Sequence, residues 1–348
     1  MSNHSLELEH VLHQLPKVEL HYHLDGGLRA STVRELAIEA NISIPEDEAA
    51  LLELIQVQGH CNSLTQYLEK FQLPVAVMQT STSLQRVAYE AVEDAASAQV
   101  KYIEIRFAPQ LHLEQGLTLE ETVDAVLQGM QLGEANTGTI ARLILTCIRN
   151  HPVEMNLQVL ELAKKFYLHG VVGIDLAGDE AGFPPLLHQA VFEAAHQADI
   201  PITIHAGEAA GADSIRDAVD SLHARRIGHG VRLEQDLELL DEIRASRIAL
   251  EMCFTSNIQT KAASDEASHP IRRYYDLGLA VTINTDNTTV SNTNLSYEYA
   301  RLAEHFHFEP EDFQKMNVEA IQASFAEDAI KKELLQHFIG YGEEKNDE

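Results

Sequence analysis

The chain has 348 residues, of which 45% are hydrophobic, and its 25 basic and 54 acidic side chains give a formal net charge of −29. A field of this sign repels phosphate backbones and anionic lipid, which argues against nucleic-acid and membrane-surface partners. Three widely spaced cysteines, Cys61, Cys147 and Cys253, do not suggest a disulfide framework. Because the N-terminal segment lacks an apolar signal core and no apolar run is long enough for a membrane span, we expect a cytoplasmic protein.

Short apolar runs alternate with amphipathic stretches along the chain. Several of these runs are continuous and β-branched, which is typical of strands buried on both faces. Eight of them, separated by helical patterns, predict one (β/α)8 TIM barrel domain over residues 1–348. A doubly wound sheet is the alternative, but it usually binds its ligand at one crevice, and here polar residues follow nearly every strand. The predicted strands are 18–23, 100–107, 140–148, 171–176, 200–205, 226–229, 248–253 and 280–285.

An unusually long segment separates the first two predicted strands. It contains helical patterns at residues 30–40 and 46–56, followed by the segment 63–79. We expect extra helices here that cover the barrel mouth as a lid. The alternative is a set of helices that only pack against the barrel.

The first candidate motif is the histidine pair His21 and His23 at the end of the first strand. Residues at i and i+2 of a strand point to the same side, so both imidazoles would face the barrel mouth and suit a single metal ion. The alternative is two incidental histidines in a chain that has 18 of them. Asp25 and two glycines follow the pair, and they predict a tight exit from the strand that keeps Asp25 near the pocket.

The fifth predicted strand ends in His205, and Glu208 follows three residues later. A third imidazole here would complete a set of three histidines. A glutamate in a closed pocket can have a raised pKa and carry a proton at neutral pH, which suits an acid catalyst. The alternative for Glu208 is a carboxylate in the first turn of a helix, which the helix dipole favours.

Two more polar residues end strands six and eight. His229 is flanked by glycines, and it is either a fourth ligand or a group that orients a metal-bound water; we favour the second role. Asp286 ends a buried strand and supplies an anionic ligand. Three imidazoles and one carboxylate with an open position for water form a catalytic zinc arrangement, in which the metal lowers the pKa of the water towards about 7.

Two absences narrow the expected metal chemistry. Binuclear barrel hydrolases usually carry a bridging lysine at the end of strand four, whereas residues 171–178 read VVGIDLAG. This argues for one metal ion. The H-x-E and P-C-x-x-C signature of cytidine-type deaminases is also absent.

Several motifs together resemble the adenosine deaminase family within the amidohydrolase barrels. The resemblance runs from Leu15 to the last helices, and the motifs follow one another in the family's order. The motifs are PKVELHYHLDGG, EAVEDAA, YIEIRFAPQLH, GIDLAGDE, ITIHAGE, RIGHG and TINTDN.

This resemblance implies hydrolysis of adenosine and 2′-deoxyadenosine to the corresponding inosine and ammonia, as part of purine salvage. It implies one zinc ion per chain, with His21, His23, His205 and Asp286 as ligands. Glu208 is similar to the family's proton donor to purine N1. His229 is similar to the residue that stabilises the attacking hydroxide, and Asp286 would also take the proton of the water.

The resemblance also implies a set of substrate-binding residues. Segment 63–71 resembles the family's apolar lid, and Asn287 departs from the second aspartate that many members use to bind purine N7. An amide can donate directly to N7, so we expect Asn287 to keep this role. The implied substrate-binding residues are His23 and Asp25 at the ribose 5′-hydroxyl, Gly178 at purine N3, Asn287 at N7, and Tyr67 and Phe71 over the nucleoside.

Three other functions stay open at this point. The nearest is a sibling deaminase that acts on adenine, 6-aminodeoxyfutalosine or an N6-modified adenine nucleotide, although a phosphate would clash with Asp25. The others are a binuclear hydrolase of esters or amides and a non-catalytic barrel that binds nucleosides or proteins. The expected partner is a small purine nucleoside, and the sequence does not indicate an oligomeric state.

Overall fold

The computed structural model describes residues 3–59, 61 and 63–344. Its parallel strands form two four-stranded ladders, with the orders β1-β2-β3-β4 and β5-β6-β7-β8. Parallel bridges from Ile174 to Ile202 and from Tyr22 to Asp286 join the ladders at both edges. The predicted barrel is therefore confirmed, and the doubly wound alternative is wrong. The strands are β1 Lys17–His23, β2 Val100–Phe107, β3 Ile140–Ile148, β4 Val171–Ala177, β5 Thr203–Ala206, β6 Arg226–His229, β7 Ala249–Met252 and β8 Val281–Ile283.

Three strands have the predicted bounds, and the others differ by a few residues at their ends. β8 stops early because side chains replace backbone partners at its end. The backbone N–H of Leu20 donates to Oδ1 of Asn284 at 2.8 Å, and that of Thr285 donates to Oε1 of Glu19 at 2.7 Å. β5 starts late because Pro201 has no N–H to donate to a ladder.

Helices surround the barrel, and among the described residues none is long and apolar enough to cross a membrane. Short 3-10 helices lie at Leu24–Gly26, Glu69–Phe71, Pro109–Leu111, Pro185–His188 and Val231–Gln235. The α-helices are α1 Asn3–Gln14, α2 Ala30–Glu39, α3 Glu48–Ile55, α4 Leu64–Leu68, α5 Gln72–Val77, α6 Ser81–Ser97, α7 Leu119–Thr137, α8 Val153–Phe166, α9 Gln189–Gln197, α10 Ala212–Asp220, α11 Leu237–Ser246, α12 Phe254–Gln259, α13 Ile271–Asp276, α14 Leu295–Phe306, α15 Pro310–Ala323 and α16 Asp328–Glu344.

The predicted extra helices are confirmed between β1 and β2, where α2 to α5 precede the crossover helix α6. α6 begins with a capping box in which Thr80 and Ser83 satisfy each other's backbone N–H, and its apolar side packs into the core. In front of it, α4, the 3-10 helix 69–71 and α5 form a short helical arm, which we call the lid. α4 begins where Ser63 accepts from the N–H of Gln66 at 3.2 Å.

Candidate active site

Four histidines and one aspartate meet inside the barrel at the carboxyl ends of the strands. Nε2 of His23 lies 3.1 Å from Nε2 of His205 and 3.4 Å from Oδ1 of Asp286, and Nε2 of His21 lies 3.4 Å from the same oxygen. The ring centroid of His229 is 4.8 Å from that of His21. The structure therefore brings together every residue that the sequence predicted around the metal.

Two of these residues adopt a backbone conformation that is rare for side chains other than glycine. His229 and Asp286 both have φ of +64°. The closure of the barrel holds Asp286 in place. The N–H of His23 donates to the carbonyl of Asp286 at 2.8 Å, and the N–H of Asp286 donates to the carbonyl of His21 at 3.0 Å. Strained residues of this kind persist where the surrounding structure fixes them, and they are concentrated at functional sites.

Buried carboxylates orient two of the imidazoles. Nδ1 of His21 pairs with Glu251 at 2.8 Å, and Nδ1 of His205 pairs with Asp175 at 3.0 Å. Such carboxylate partners fix the tautomer in which the lone pair of Nε2 points away from them, towards the shared centre. Nε2 of His21 is buried there without a hydrogen-bond partner among the described residues, which is the arrangement that a metal ion would complete.

The donor set fits a metal ion such as zinc. Donor atoms of His21, His205, His229 and Asp286 all lie within 4.8 Å of one another, and Nε2 of His23 lies at the same centre. The positions of the donors thus admit either His23 or His229 as the third imidazole. Imidazole nitrogen and carboxylate oxygen are ligands that catalytic zinc sites use.

A network of buried charges supports the two orienting carboxylates from below. Arg106 lies 2.9 Å from Glu251 and 3.3 Å from Asp175, and Arg226 lies 2.6 Å from both Glu251 and Glu104. Burial alone would raise the pKa of Glu251, but the two guanidinium groups lower it well below its usual range. These residues were not predicted from the sequence, although a charged residue inside a buried strand is the signal that could have found them.

Glu208 lies in the turn after β5, and α10 begins only at Ala212, so the alternative of a first-turn helical carboxylate is wrong. Its side chain is buried and lines the cavity beside the histidines. Burial, assisted by the negative charges of Asp286 and Glu180, raises its pKa to about 8. Glu208 therefore carries a proton at neutral pH and can act as a hydrogen-bond donor or acid.

The tautomer of His229 follows from its neighbour Asn257. The backbone N–H of Cys253 donates to Oδ1 of Asn257 at 3.4 Å, which leaves the Nδ2 group of the same amide facing Nδ1 of His229 at 2.9 Å. Nδ1 of His229 must then accept, so the proton of the neutral ring is on Nε2. Burial lowers the pKa of His229 well below its usual value, which keeps the ring neutral.

A cavity of about 380 Å³ opens beside this centre. Its deep end is polar, and the lid contributes apolar side chains from the opposite side. None of the described residues that line it is a lysine or an arginine. All the predicted substrate-binding residues line it: His23, Asp25, Tyr67, Phe71, Gly178 and Asn287.

Asn287 is held by the lid as well as by its own strand end. Its Nδ2 donates to the hydroxyl of Tyr67 at 3.0 Å, and that hydroxyl also pairs with Ser291 at 2.6 Å. Its Oδ1 packs over Gly26, where an added Cβ would lie 1.8 Å from this oxygen. The carboxamide is thus fixed in one position at the cavity wall.

A closed parallel barrel with buried imidazole and carboxylate side chains that suit a metal ion at the carboxyl ends of its strands defines the class as a barrel enzyme. A family model described as adenosine deaminase matches residues 16–341. The chain belongs to the adenosine deaminase family, as the resemblance of its motifs predicted.

Relatives within and around this family differ in their named substrates. An adenosine deaminase of Clostridium acetobutylicum is 44% identical over 323 residues, which cover 92% of this chain and 96% of the relative. Among solved structures, an adenine deaminase from Arthrobacter aurescens aligns with a TM-score of 0.87 at 28% identity, covering 94% of this chain and 99% of that one. An N6-mAMP deaminase from arabidopsis aligns with a TM-score of 0.86 at 30% identity, covering 95% and 99%.

Proposed function

We propose that this protein is a cytoplasmic hydrolase of purine metabolism that converts adenosine and 2′-deoxyadenosine to the corresponding inosine and ammonia. The observation that carries the proposal is the buried carboxyl of Glu208, whose pKa burial raises to about 8, next to the imidazole and carboxylate cluster in one cavity. The adenosine deaminases among its relatives support the same reaction.

We further propose one zinc ion per chain, bound by His21, His23, His205 and Asp286. We leave His229 out of this set because the hydrogen bond from Asn257 to its Nδ1 supports a tautomer with the proton on Nε2. When bound, the ion would lower the pKa of a water molecule and so supply the nucleophile for C6 of the purine.

The side chains divide the proton transfers between them. Glu208 donates its proton to purine N1, which makes C6 electrophilic. Nε2–H of His229 donates a hydrogen bond towards the attacking oxygen. This nitrogen lies 3.6 Å from the carboxyl of Glu208. Asp286 accepts the proton of the water on one oxygen and passes it to the amino group, which leaves C6 as ammonia, while Oδ2 of Asp286 accepts a hydrogen bond from Ser256 at 2.6 Å.

The walls of the cavity favour a nucleoside over the alternatives. The absence of lysine and arginine among its described lining residues leaves a phosphate without the permanent positive charge that usually pairs with it, which disfavours the N6-modified nucleotides. Oδ1 of Asp25 is buried with no hydrogen-bond partner among the described residues, and a ribose 5′-hydroxyl can donate to it. Free adenine would leave that oxygen unpaired, which costs binding free energy.

A substrate panel tests this proposal with purified, zinc-loaded protein. The ultraviolet absorbance change on deamination gives kcat/KM for adenosine, 2′-deoxyadenosine, adenine, AMP and N6-methyl-AMP. We expect adenosine and its deoxy form to exceed the others by at least about 10³-fold, because each unpaired buried polar group penalises the wrong substrate. A preference for adenine or for a nucleotide would contradict the proposal, as would activity that persists after the metal is removed.

A further inference from the structure

The turn that carries Glu208 is held by a single buried carboxylate. Residues 207–210 form no helix or strand, yet their four successive N–H groups point towards Glu180. Oε1 accepts from Gly207 at 2.7 Å, and Oε2 accepts from Glu208 at 3.1 Å, from Ala209 at 2.6 Å and from Ala210 at 2.8 Å. Consecutive N–H groups arranged in this way form an anion-binding concavity of the backbone.

Glu180 reaches this turn from the loop that follows β4. Its side chain is only 2% exposed, so the carboxylate is withdrawn from water. Arg149, which is also buried, donates to the carbonyl of His205 at the end of β5 at 2.6 Å and to that of Phe183 in the Glu180 loop at 2.8 Å. The acid thus holds the turn through its N–H groups, and the base links the strand before the turn to the loop of Glu180 through carbonyls.

We propose that Glu180 is a positioning residue for the acid catalyst, fixing the Glu208 turn so that the carboxyl of Glu208 reaches N1 of the purine. This role rests on the proposed deamination. A cap that only stabilised the end of a strand would need one or two of these hydrogen bonds. Here all four N–H groups converge on one side chain, and the residue at the centre of the turn is Glu208 itself.

Glu180→Gln removes this arrangement while it preserves the length of the side chain. Oε1 accepts one N–H group and Oε2 accepts three, and in a carboxamide one of these two positions is an NH2 group that cannot accept, so at least one N–H group loses its partner in either orientation. We expect kcat to fall by about 100-fold, as for a catalytic group displaced by roughly 1 Å, with KM for adenosine changed much less. The zinc content should stay at one per chain, since the proposed metal ligands keep their own partners.

A double-mutant cycle separates positioning from a general structural role. If Glu180 acts only through Glu208, the E180Q/E208Q variant should show kcat within about twofold of E208Q alone. A further loss of kcat in the E208Q background, or the loss of zinc from E180Q, would overturn the proposal, because either result shows an effect that bypasses Glu208.

Two more variants keep the test decisive. Glu180→Asp retains the charge on a shorter side chain, so it should restore part of the kcat that E180Q loses. If E180Q does not fold, the cycle is run with E180D.

Glu90→Gln is the matched control. Glu90 is a buried carboxylate on the outer helix α6, and it accepts from the hydroxyl of Thr32 at 2.6 Å. We expect it to leave kcat unchanged. An inactive wild-type enzyme would refute the proposed function, whereas an active wild type with an equally active E180Q refutes this inference alone.

Discussion

The end of the cavity that holds the proposed metal ligands, which we call the metal-binding end, and the lid are built in different ways. At the metal-binding end, His21 and His205 each have a buried carboxylate partner on Nδ1, and those partners are themselves held by Arg106. The lid consists of short helical pieces whose polar link to the barrel runs through Tyr67. The rest of its contact with the cavity comes from apolar side chains such as Phe71.

This difference shows where chemistry and specificity reside. The metal-binding end depends on strand geometry, which the barrel imposes and which tolerates little change. The lid lies in an insertion between β1 and β2, and it can vary without disturbing the strands. Changes at the metal-binding end should therefore remove the reaction, whereas changes in the lid should alter how well a substrate is held.

The largest effect is expected from Asp286→Ala. It removes the carboxylate that lies 3.4 Å from both His21 and His23, and with it the proposed anionic ligand. We expect zinc to be lost and kcat/KM to fall by more than about 10⁴-fold, because the nucleophile is no longer generated. Metal analysis of the purified variant and the absorbance assay check this. Full zinc content with normal turnover would show that Asp286 is not a ligand.

The second-largest effect is expected from Glu208→Gln. E208Q should retain zinc but lose about 10²- to 10⁴-fold in kcat, the usual contribution of an acid catalyst. In the wild type the protonated carboxyl is the active form, and burial raises its pKa to about 8. The contribution of Glu208 to activity should therefore be fully present below about pH 8, and activity should fall by about tenfold per pH unit above it.

The pH profile and the variant test each other. In E208Q no group of this kind titrates, so the alkaline decline near pH 8 should be absent from its residual activity. A decline that survives in E208Q would assign the titration to another group and would contradict the role of Glu208.

A smaller effect is expected from Asp175→Asn, which weakens the support of one ligand. Asp175 accepts from Nδ1 of His205 and faces Arg106. The neutral amide of the variant therefore deprives both residues of a negatively charged partner. We expect zinc affinity to fall by about 10- to 100-fold, as is usual when a residue that hydrogen-bonds a metal ligand is changed. Chelator competition measures it. Asp241→Asn, a change at an exposed aspartate that pairs with Arg244 on α11, is the control and should leave zinc affinity unaltered.

The smallest effect is expected at the lid. Tyr67→Phe removes the hydroxyl that accepts from Asn287 and pairs with Ser291. Loss of this hydrogen bond should raise KM for adenosine by about tenfold, because that ratio corresponds to the net free energy of one hydrogen bond. We expect little change in kcat. The control is Tyr89→Phe, which removes a hydroxyl on α6 far from the cavity. A fall in kcat as large as that of E208Q would place Tyr67 in the chemistry instead.

The sequence predicted the barrel well because buried parallel strands produce continuous apolar runs, such as 100–107 and 140–148, whose bounds the structure confirms. It also predicted the side chains that point into the barrel mouth, since these follow the strands directly. It did not predict the partners behind them. Asp175 and Glu251 lie within strands, and only the closure of the barrel brings them to their histidines.

The lid contacts could not be derived from local pattern either. Tyr67 and Asn287 lie 220 residues apart, and no periodicity links them. The sequence places Glu180 in the motif GIDLAGDE, but nothing in it shows that four N–H groups of a later turn converge on this side chain. Contacts of this type depend on the three-dimensional path of the loops, which one sequence does not encode in readable form.

The closure of the barrel has a consequence for how the chain acquires its metal. The hydrogen bonds between Asp286 and the segment of His21 and His23 join the first strand to the residues after the last one, and Leu20 bonds to Asn284 264 residues away. Contacts of such large sequence separation form slowly and late during folding. The proposed metal ligands therefore assemble only after the chain has been synthesised as far as Asp286, and a shorter nascent chain lacks a complete site.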